Sequence, residues 1–133
     1  TPDALSNALQ TLRLHYPASK LIVVFGCGGD RDKSKRQQMG KIASELAHSI
    51  ILTNDNPRNE QPENIIKDIL VGVKIENKAQ VILDRKTAIN TAITTLNEDE
   101  VLLIAGKGHE TTQIIGSQVL PFSDIEIALD ALI

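Results

Sequence analysis

The chain has 133 residues, of which 41% are hydrophobic and 23% are charged, and its net charge at pH 7 is −3. This composition is typical of a single soluble globular domain and excludes an intrinsically disordered chain. The acidic balance and an aromatic content of only 2% argue against nucleic-acid binding, because they provide neither a basic surface nor a platform for stacking bases.

The first part of the chain predicts a helix followed by a strand. Thr1 is a suitable N-cap, and apolar residues recur at helical spacing from Leu5 to Leu12. The apolar run at residues 21–25 is short and rich in β-branched side chains, which is typical of a strand buried on both faces of a parallel sheet.

The same alternation continues along the chain. Apolar positions three and four residues apart predict helices around residues 39–47, 62–73 and 88–96. Apolar runs at 49–53, 79–83 and 101–105 predict strands, and the last of them is expected to be buried. Helices alternating with strands indicate βαβ units, so we expect an α/β fold: a Rossmann-like, doubly wound, mostly parallel sheet with helices on both faces.

The C-terminal part predicts a β-hairpin and a last helix. Two β-prone segments, 113–115 and 118–120, flank a Gly116–Ser117 turn. The last helix is expected over residues 124–132. With no internal repeat or linker, residues 1–133 are predicted to form one domain. The predicted core-facing positions of the last helix are Ile125, Ala128, Leu129 and Leu132.

Polar loops follow the four predicted parallel strands. In an open α/β sheet, ligands bind beyond the carboxyl ends of the strands, so these loops form the candidate binding rim. They carry charges of both signs, which suits a zwitterionic or multiply charged small molecule better than a simple anion. The loops comprise residues 26–36, 54–60, 84–86 and 106–111.

The first loop is rich in glycine but matches no nucleotide motif. Arg31 stands where a dinucleotide fingerprint has its third glycine, and the chain lacks the P-loop pattern G-x-x-x-x-G-K-[ST]. The glycines fit either a tight strand-to-helix turn or phosphate binding. The simplest interpretation of the charges at residues 30–36 is the solvated first turn of a helix. Cys27 is predicted to be a packing residue, and as the only cysteine it indicates a reducing compartment.

The second loop contains Asp55-Asn56-Pro57-Arg58. Pro57 restricts the backbone, which would hold the Arg58 guanidinium as a preset fork for a carboxylate. Asp55 and Asn56 are candidates to satisfy backbone donors of the loop or to contact a ligand amine. The alternative is a proline-containing turn before a helix with Arg58 solvated.

The last rim loop contains Gly106-Lys107-Gly108-His109-Glu110. The two glycines allow close backbone approach, and Glu110 is a candidate acceptor for a ligand ammonium. The alternative is a loop whose Lys107 and Glu110 simply face water. The three histidines and one cysteine of the chain show no metal-ligand spacing, and no apolar run reaches the roughly 18–20 residues that cross a bilayer.

Taken in order, the motifs at 26–33, 55–58 and 106–110 closely resemble the C-terminal domain of the Mur ligases, and among them the branch that adds meso-diaminopimelate. The resemblance implies a bacterial cytoplasmic enzyme of peptidoglycan precursor synthesis, acting on UDP-MurNAc-L-Ala-D-Glu. Such enzymes use ATP and Mg²⁺ to form an acyl phosphate, which the amine of the incoming amino acid attacks.

The resemblance also implies roles for individual residues. Arg58 would hold the distal carboxylate of diaminopimelate, and Arg31 would be a second carboxylate contact. The Gly106 carbonyl and Glu110 would contact the distal ammonium. Lysine-adding relatives typically lack the arginine of this motif, so Arg58 favours diaminopimelate. The implied substrate-binding set is Arg31, Asp55, Asn56, Pro57, Arg58, Gly106 and Glu110.

Several parts of the family pattern are absent from the sequence. The P-loop, the modified lysine, most magnesium ligands and the UDP-binding domain all belong to other domains of such ligases. We therefore expect residues 1–133 to be the C-terminal, amino-acid-binding domain of a larger ligase, with the central ATP-binding domain as its partner. Alone it is expected to be inactive and to hold no catalytic residue or metal. Two alternatives stay open: a stand-alone amino-acid or nucleotide binding module, and a Mur ligase domain for another amino acid.

Overall fold

A computed structural model describes residues 1–74 and 79–132 of the chain. Helices and strands alternate as the apolar pattern predicts, up to a hairpin and a last helix. In chain order the elements are α1 (Pro2–His15), β1 (Lys20–Phe25), α2 (Ser34–Leu46), β2 (Ser49–Leu52), α3 (Pro62–Leu70), β3 (Gln80–Val81), α4 (Arg85–Thr94), β4 (Glu100–Ile104), β5 (Thr112–Ile115), β6 (Gln118–Pro121) and α5 (Asp124–Ala131).

The central sheet has four parallel strands in the order β3-β2-β1-β4. β1 is flanked on both sides, and its Val23 is in register with Ile50 of β2 and with Leu103 of β4. One face packs against α1, α2 and α3 through side chains such as Phe25. The other face packs against α4 through Val24. The predicted α/β fold, with a parallel sheet between helices, is confirmed.

Both edge strands differ from the prediction. The third strand was expected over 79–83, but β3 spans only Gln80 and Val81, and both are exposed. β4 was expected to be buried, yet all five of its residues are only partly buried. The reason is position in the sheet. β4 pairs only with β1 among the described strands, so it lies at an edge and has a neighbour on one side.

The last helix is rotated relative to the prediction, which was wrong about its inner face. Ile125, Leu129 and Leu132 are 44%, 57% and 71% exposed. The more buried positions are 124, 127, 128 and 131, one residue earlier in the helical repeat. Asp124 is the cause, because its carboxylate is buried in an ion pair with Arg85 of α4. That pair holds α5 in a position turned about its axis by roughly one residue, or ~100°, relative to the predicted one.

Local sequence signals set the remaining boundaries. The Thr1 hydroxyl accepts a hydrogen bond of 3.1 Å from the backbone N–H of Ala4, so Thr1 caps α1 as predicted. The predicted hairpin forms, with Ile115 paired to Gln118 across the two-residue turn and Gly116 at φ +60°. None of the helices in the described ranges has the length and apolar character that a membrane crossing requires.

Candidate functional site

The loops after β1 and β2 meet in direct backbone contact at the carboxyl edge of the sheet. The backbone N–H of Gly29 donates to the carbonyl of Asn56 at 2.7 Å. A Cβ at Gly29 would overlap the carbonyl of Pro57, and one at Gly26 would overlap the carbonyl of Thr53. Only glycine allows the two loops to lie this close. This contact gives the glycines of the first loop a structural role.

The loop after β4 joins them through a buried lysine. The side chain of Lys107 is fully buried, and its Nζ lies 3.0 Å from Oδ1 of Asp55. It also donates to Oδ1 of Asn56 at 2.9 Å and to the Thr112 carbonyl at 3.2 Å. The alternative that Lys107 faces water is therefore wrong. The ammonium is used internally, and it holds Asp55 and Asn56 in place.

Asn56 is oriented by two donors at once. Its Oδ1 accepts from Lys107 Nζ and from the backbone N–H of Ile114, both at 2.9 Å. Two donors at one atom identify that atom as the amide oxygen, which fixes the rotation of the amide group. Within the described ranges, Nδ2 of Asn56 donates no hydrogen bond of its own.

The two arginines singled out by the sequence both border Gly28. A Cβ placed on Gly28 would be 2.8 Å from Nη1 of Arg58 and 3.5 Å from Cγ of Arg31, so both side chains border this glycine. Arg58 Nη1 donates to the Gly29 carbonyl at 2.9 Å, and Arg31 Nη1 donates to the Asp30 carbonyl at 3.2 Å. Neither guanidinium has a carboxylate partner among residues 1–74 and 79–132.

Arg58 is held by an unusual backbone conformation. Its φ is +52°, a value that few residues other than glycine adopt. Its N–H donates to the Ile114 carbonyl at 3.1 Å, and its carbonyl accepts from Gly116 N–H at 2.6 Å. The hairpin therefore forms hydrogen bonds with both the backbone N–H and the carbonyl of Arg58. The alternative of a solvated Arg58 does not describe this half-buried, doubly anchored residue.

A cleft of about 300 Å³ opens where these loops meet. Its lining includes Gly28, Arg31, Asp55 and Gly106, so residues from three separate loops face one space. Gly106 has a φ of +111° and is exposed. Glu110 is exposed at the outer end of the same loop. Of the predicted binding residues, Arg31, Asp55 and Gly106 line this cleft, whereas Asn56, Pro57 and Arg58 lie beside it in the neighbouring loop and Glu110 stays at the periphery.

A second buried cation lies on the first turn of α2. Only 1% of the Arg36 side chain is exposed, so the prediction of a solvated helical turn at 30–36 is wrong for Arg36. The other charged residues of the segment are exposed as predicted, but those at 30–33 precede α2. Nη2 and Nη1 donate to the two carboxylate oxygens of Glu60 at 2.6 Å and 3.2 Å. The Arg36 guanidinium and the N–H of Asp30 lower the pKa of Glu60 to about 2.

A third buried cation supports the rim from the other face of the sheet. Arg85 donates to both oxygens of Asp124 at 2.7 Å. It also donates to the carbonyls of Asn54 and Ala105, both at 3.0 Å. These two carbonyls follow β2 and β4, so Arg85 ties together the beginnings of two rim loops.

Cys27 is a packing residue, as predicted. Its Sγ lies 3.6 Å from Sδ of Met39, on the inner side of the cleft. Burial raises the pKa of the thiol to about 11. A neutral thiol is a poor nucleophile, because the thiolate is the reactive form. In the described part of the chain, no group of three His, Cys, Asp or Glu side chains is placed to hold a metal ion.

Sequence patterns missed the roles of Lys107, Arg36 and Arg85. Each lies in a charged, polar segment that normally faces solvent, and spacing along the chain gives no sign of burial. The signal is three-dimensional: each cation has a carboxylate on a different loop or helix, 24 to 52 positions away.

Comparison with known proteins identifies the family. The family described as "Mur ligase, glutamate ligase domain" matches residues 1–108. The chain belongs to the Mur ligase family. It is 56% identical over 132 residues to the UDP-N-acetylmuramoyl-L-alanyl-D-glutamate–2,6-diaminopimelate ligase of Coxiella burnetii and 56% identical over 131 residues to that of Bradyrhizobium diazoefficiens. It covers 27% and 26% of these relatives, and they cover 99% and 98% of this chain.

Solved Mur ligase structures show the same fold. A UDP-N-acetylmuramoyl-L-alanyl-D-glutamate–2,6-diaminopimelate ligase superposes with a TM-score of 0.93 and 41% sequence identity. The match covers 99% of this chain and 27% of that structure. The UDP-N-acetylmuramate–alanine ligase of Thermotoga maritima superposes with a TM-score of 0.55 at 17% identity, covering 99% of this chain and 24% of that one, and shows the fold alone. The chain thus corresponds to about a quarter of each Mur ligase.

Proposed function

We propose that this chain is the amino-acid-binding domain of a UDP-N-acetylmuramoyl-L-alanyl-D-glutamate–2,6-diaminopimelate ligase and that it binds meso-diaminopimelate. One observation carries the proposal: Arg31 and Arg58 both border Gly28, and neither has a carboxylate partner in the described ranges. The buried cations nearby, Lys107 and Arg36, each have a carboxylate partner. Two unpaired guanidiniums at a ligand-binding rim are suited to a carboxylate that comes from the ligand.

The chemistry of diaminopimelate fits this arrangement. The molecule carries an ammonium and a carboxylate at each end, and one amine forms the new amide bond. We infer that the distal end is held here, with its carboxylate on Arg31 and Arg58 and its ammonium near the Gly106 carbonyl and Glu110. L-lysine has no distal carboxylate, so the two arginines provide the discrimination against it.

The neighbouring loop supplies a further donor. Because the Asn56 oxygen is occupied by Lys107 and Ile114, its Nδ2 is the group left to face a ligand. An amide N–H complements a carboxylate oxygen, so we assign Asn56 to the carboxylate end of the pocket. Asp55 is paired with Lys107, and Pro57 is buried against Gly29, so we assign both to shaping the loop.

ATP and Mg²⁺ are part of the proposed reaction, but the residues that the structure describes do not fit their binding. The sequence has no P-loop, and the described residues place no cluster of metal ligands. We propose that the remaining three quarters of the ligase, including a central domain that packs on this one, provides those sites. The purified chain is then expected to release no ADP from ATP in a coupled assay, and the complete ligase is expected to act in the bacterial cytoplasm.

An amide-resolved NMR titration of the chain with meso-diaminopimelate tests the proposal, with L-lysine as the comparison ligand. We expect shifts confined to the amides of Arg31, Asp55, Asn56, Arg58 and residues 106–110, and no response to lysine at the same concentration. Arg58→Ala removes one guanidinium from the pair and is expected to weaken binding at least tenfold. Lys41→Ala is the control, because it also removes one positive charge and Lys41 is an exposed residue of α2.

Two results would contradict the assignment. Equal shifts with lysine would show that the distal carboxylate is not recognised. Unchanged affinity of Arg58→Ala, with Lys41→Ala also unchanged, would show that the ligand contacts other groups.

A further inference from the structure

The buried Arg36 makes more contacts than an ion pair needs. Besides Glu60, its Nη1 donates to Oδ2 of Asp68 at 3.0 Å, and its Nη2 donates to the Gly28 carbonyl at 3.0 Å. Gly28 is the residue that Arg31 and Arg58 border. Arg36 thus holds the segment of backbone that the Arg31 and Arg58 side chains border.

Glu60 reaches the same turn from another loop. Its Oε2 accepts the backbone N–H of Asp30 at 2.6 Å while it is bound to Arg36. Asp30 has a φ of +55°, a backbone conformation that non-glycine residues rarely adopt. Nδ2 of Asn59 holds the Asp30 side chain at 3.1 Å. Asn59 and Glu60, which directly follow Arg58, therefore hold Asp30, which directly precedes Arg31.

The contacts of Arg58, Arg36 and Glu60 with the 28–31 turn are connected to one another. Arg58 Nη1 donates to the Gly29 carbonyl, and Arg36 Nη2 donates to the carbonyl of the preceding Gly28. Glu60 links Arg36 to Asp30, and Asp30 is covalently joined to Arg31. The position of Arg31 relative to Arg58 thus depends on a carboxylate that neither arginine touches.

We propose that Arg36 and Glu60 are positioning residues that set the spacing of Arg31 and Arg58 for a ligand carboxylate. The proposal rests on the proposed binding of meso-diaminopimelate for its functional consequence. The Arg36–Glu60 pair acts through the 28–31 turn: Arg36 borders the cleft, but only 1% of its side chain is exposed. Glu60 stays ionised throughout the neutral range, because its pKa lies near 2.

Asp68 provides a matched control within the same cluster. Glu60→Gln and Asp68→Asn each remove one negative charge from the surroundings of Arg36. Only Glu60 also touches the turn, since Asp68 lies on α3 with 42% of its side chain exposed. A purely structural role for the cluster would make the two variants similar in ligand binding once their stabilities are compared.

The test has a ligand-free and a ligand-bound readout, both by NMR on the 133-residue chain. Without ligand, Glu60→Gln is expected to shift the Asp30 amide proton upfield and to remove the nuclear Overhauser contact between Gly28 Hα and the Arg31 methylenes. Asp68→Asn is expected to keep both signals. With meso-diaminopimelate, Glu60→Gln is expected to raise the Kd at least fivefold, and Asp68→Asn less than twofold.

The outcomes separate this proposal from the binding assignment. If the wild-type chain binds no diaminopimelate, the proposed function fails. The positioning role is then still tested without ligand, by whether Glu60→Gln loses the Overhauser contact between Gly28 and Arg31 that Asp68→Asn keeps. Retention of that contact and of wild-type affinity in Glu60→Gln would overturn the positioning role, as would equal losses in both variants. If Glu60→Gln does not fold, Glu60→Asp replaces it, because the shorter carboxylate keeps the charge but cannot span from Arg36 to Asp30.

Discussion

The ammonium of Lys107 lies 3.0 Å from the carboxylate of Asp55, and this ion pair joins the loop after β4 to the loop after β2. The lysine side chain is fully buried, whereas 17% of the Asp55 side chain is exposed. The cation is therefore the partner with no access to water. Its three contacts, to Asp55, Asn56 and the Thr112 carbonyl, replace the hydration it loses.

Lys107→Met is expected to destabilise the chain by about 3 kcal/mol, because removing one partner of a buried pair leaves the other charge uncompensated. Methionine fills much of the lysine volume, so lost packing contributes little. Urea denaturation followed by circular dichroism gives the free energy of unfolding. Lys86→Met is the control, since Lys86 is exposed on α4 and its loss is expected to change stability by less than about 0.5 kcal/mol. A loss below about 1 kcal/mol for Lys107→Met would show that the pair contributes little.

Gly29→Ala is expected to disturb the rim directly. A Cβ at this position would overlap the Pro57 carbonyl, which is backbone and cannot rotate away. Gly108→Ala is the matched control: its φ is +54°, but nothing lies within 4 Å of the added Cβ. It is expected to cost only the strain of a left-handed alanine, about 1–2 kcal/mol. Gly29→Ala should cost more than Gly108→Ala by urea denaturation, and it should also move the backbone resonances of residues 55–58. Equal costs and unmoved resonances would contradict close loop contact.

The fold was largely predictable because the apolar pattern determines which faces are buried. The run at 21–25 is apolar at every position, and β1 is indeed covered on both faces. β4 has a similar run, yet it lies at the sheet edge and is only partly buried. An apolar run indicates a strand but carries no information about how many neighbouring strands it has.

The place of the candidate site was predictable at the level of loops, and its contacts were less so. The rule that ligands bind beyond the carboxyl ends of parallel strands placed Arg31, Arg58 and Gly106 at one rim. Whether a charged residue faces solvent or a buried partner depends on segments far away in the sequence. Arg36 was therefore predicted to be solvated, and a solvated Lys107 stayed open as an alternative. The inner face of α5 was predicted one residue off because its Asp124 pairs with Arg85.

The pH dependence of stability should report the Arg36–Glu60 pair. The pKa of Glu60 is about 2, below the ordinary value of 4.5, so folding favours the ionised Glu60 carboxylate. A lowered pKa in the folded state means that the stabilisation is complete above about pH 4.5 and is lost as pH falls toward 2. Glu60→Gln is thus expected to be less stable than the wild type at pH 7, with the difference narrowing at pH 3. Glu63→Gln, an exposed position in the first turn of α3, should show a difference of less than about 0.5 kcal/mol at either pH. A constant difference for Glu60→Gln between pH 7 and pH 3 would contradict the lowered pKa.

The reactivity of Cys27 should be low in the folded chain and ordinary in the unfolded one. Its pKa of about 11, against the usual 9.0, follows mainly from burial, which disfavours the thiolate. Two pKa units reduce the thiolate fraction at pH 8 by about a hundredfold, and restricted access slows attack further. We expect Ellman's reagent to modify the native chain at least a hundredfold more slowly than glutathione, and modification to become fast in 8 M urea. If the native rate equals that of glutathione, the thiol is exposed and ionisable, and its assignment as a packing residue against Met39 is wrong.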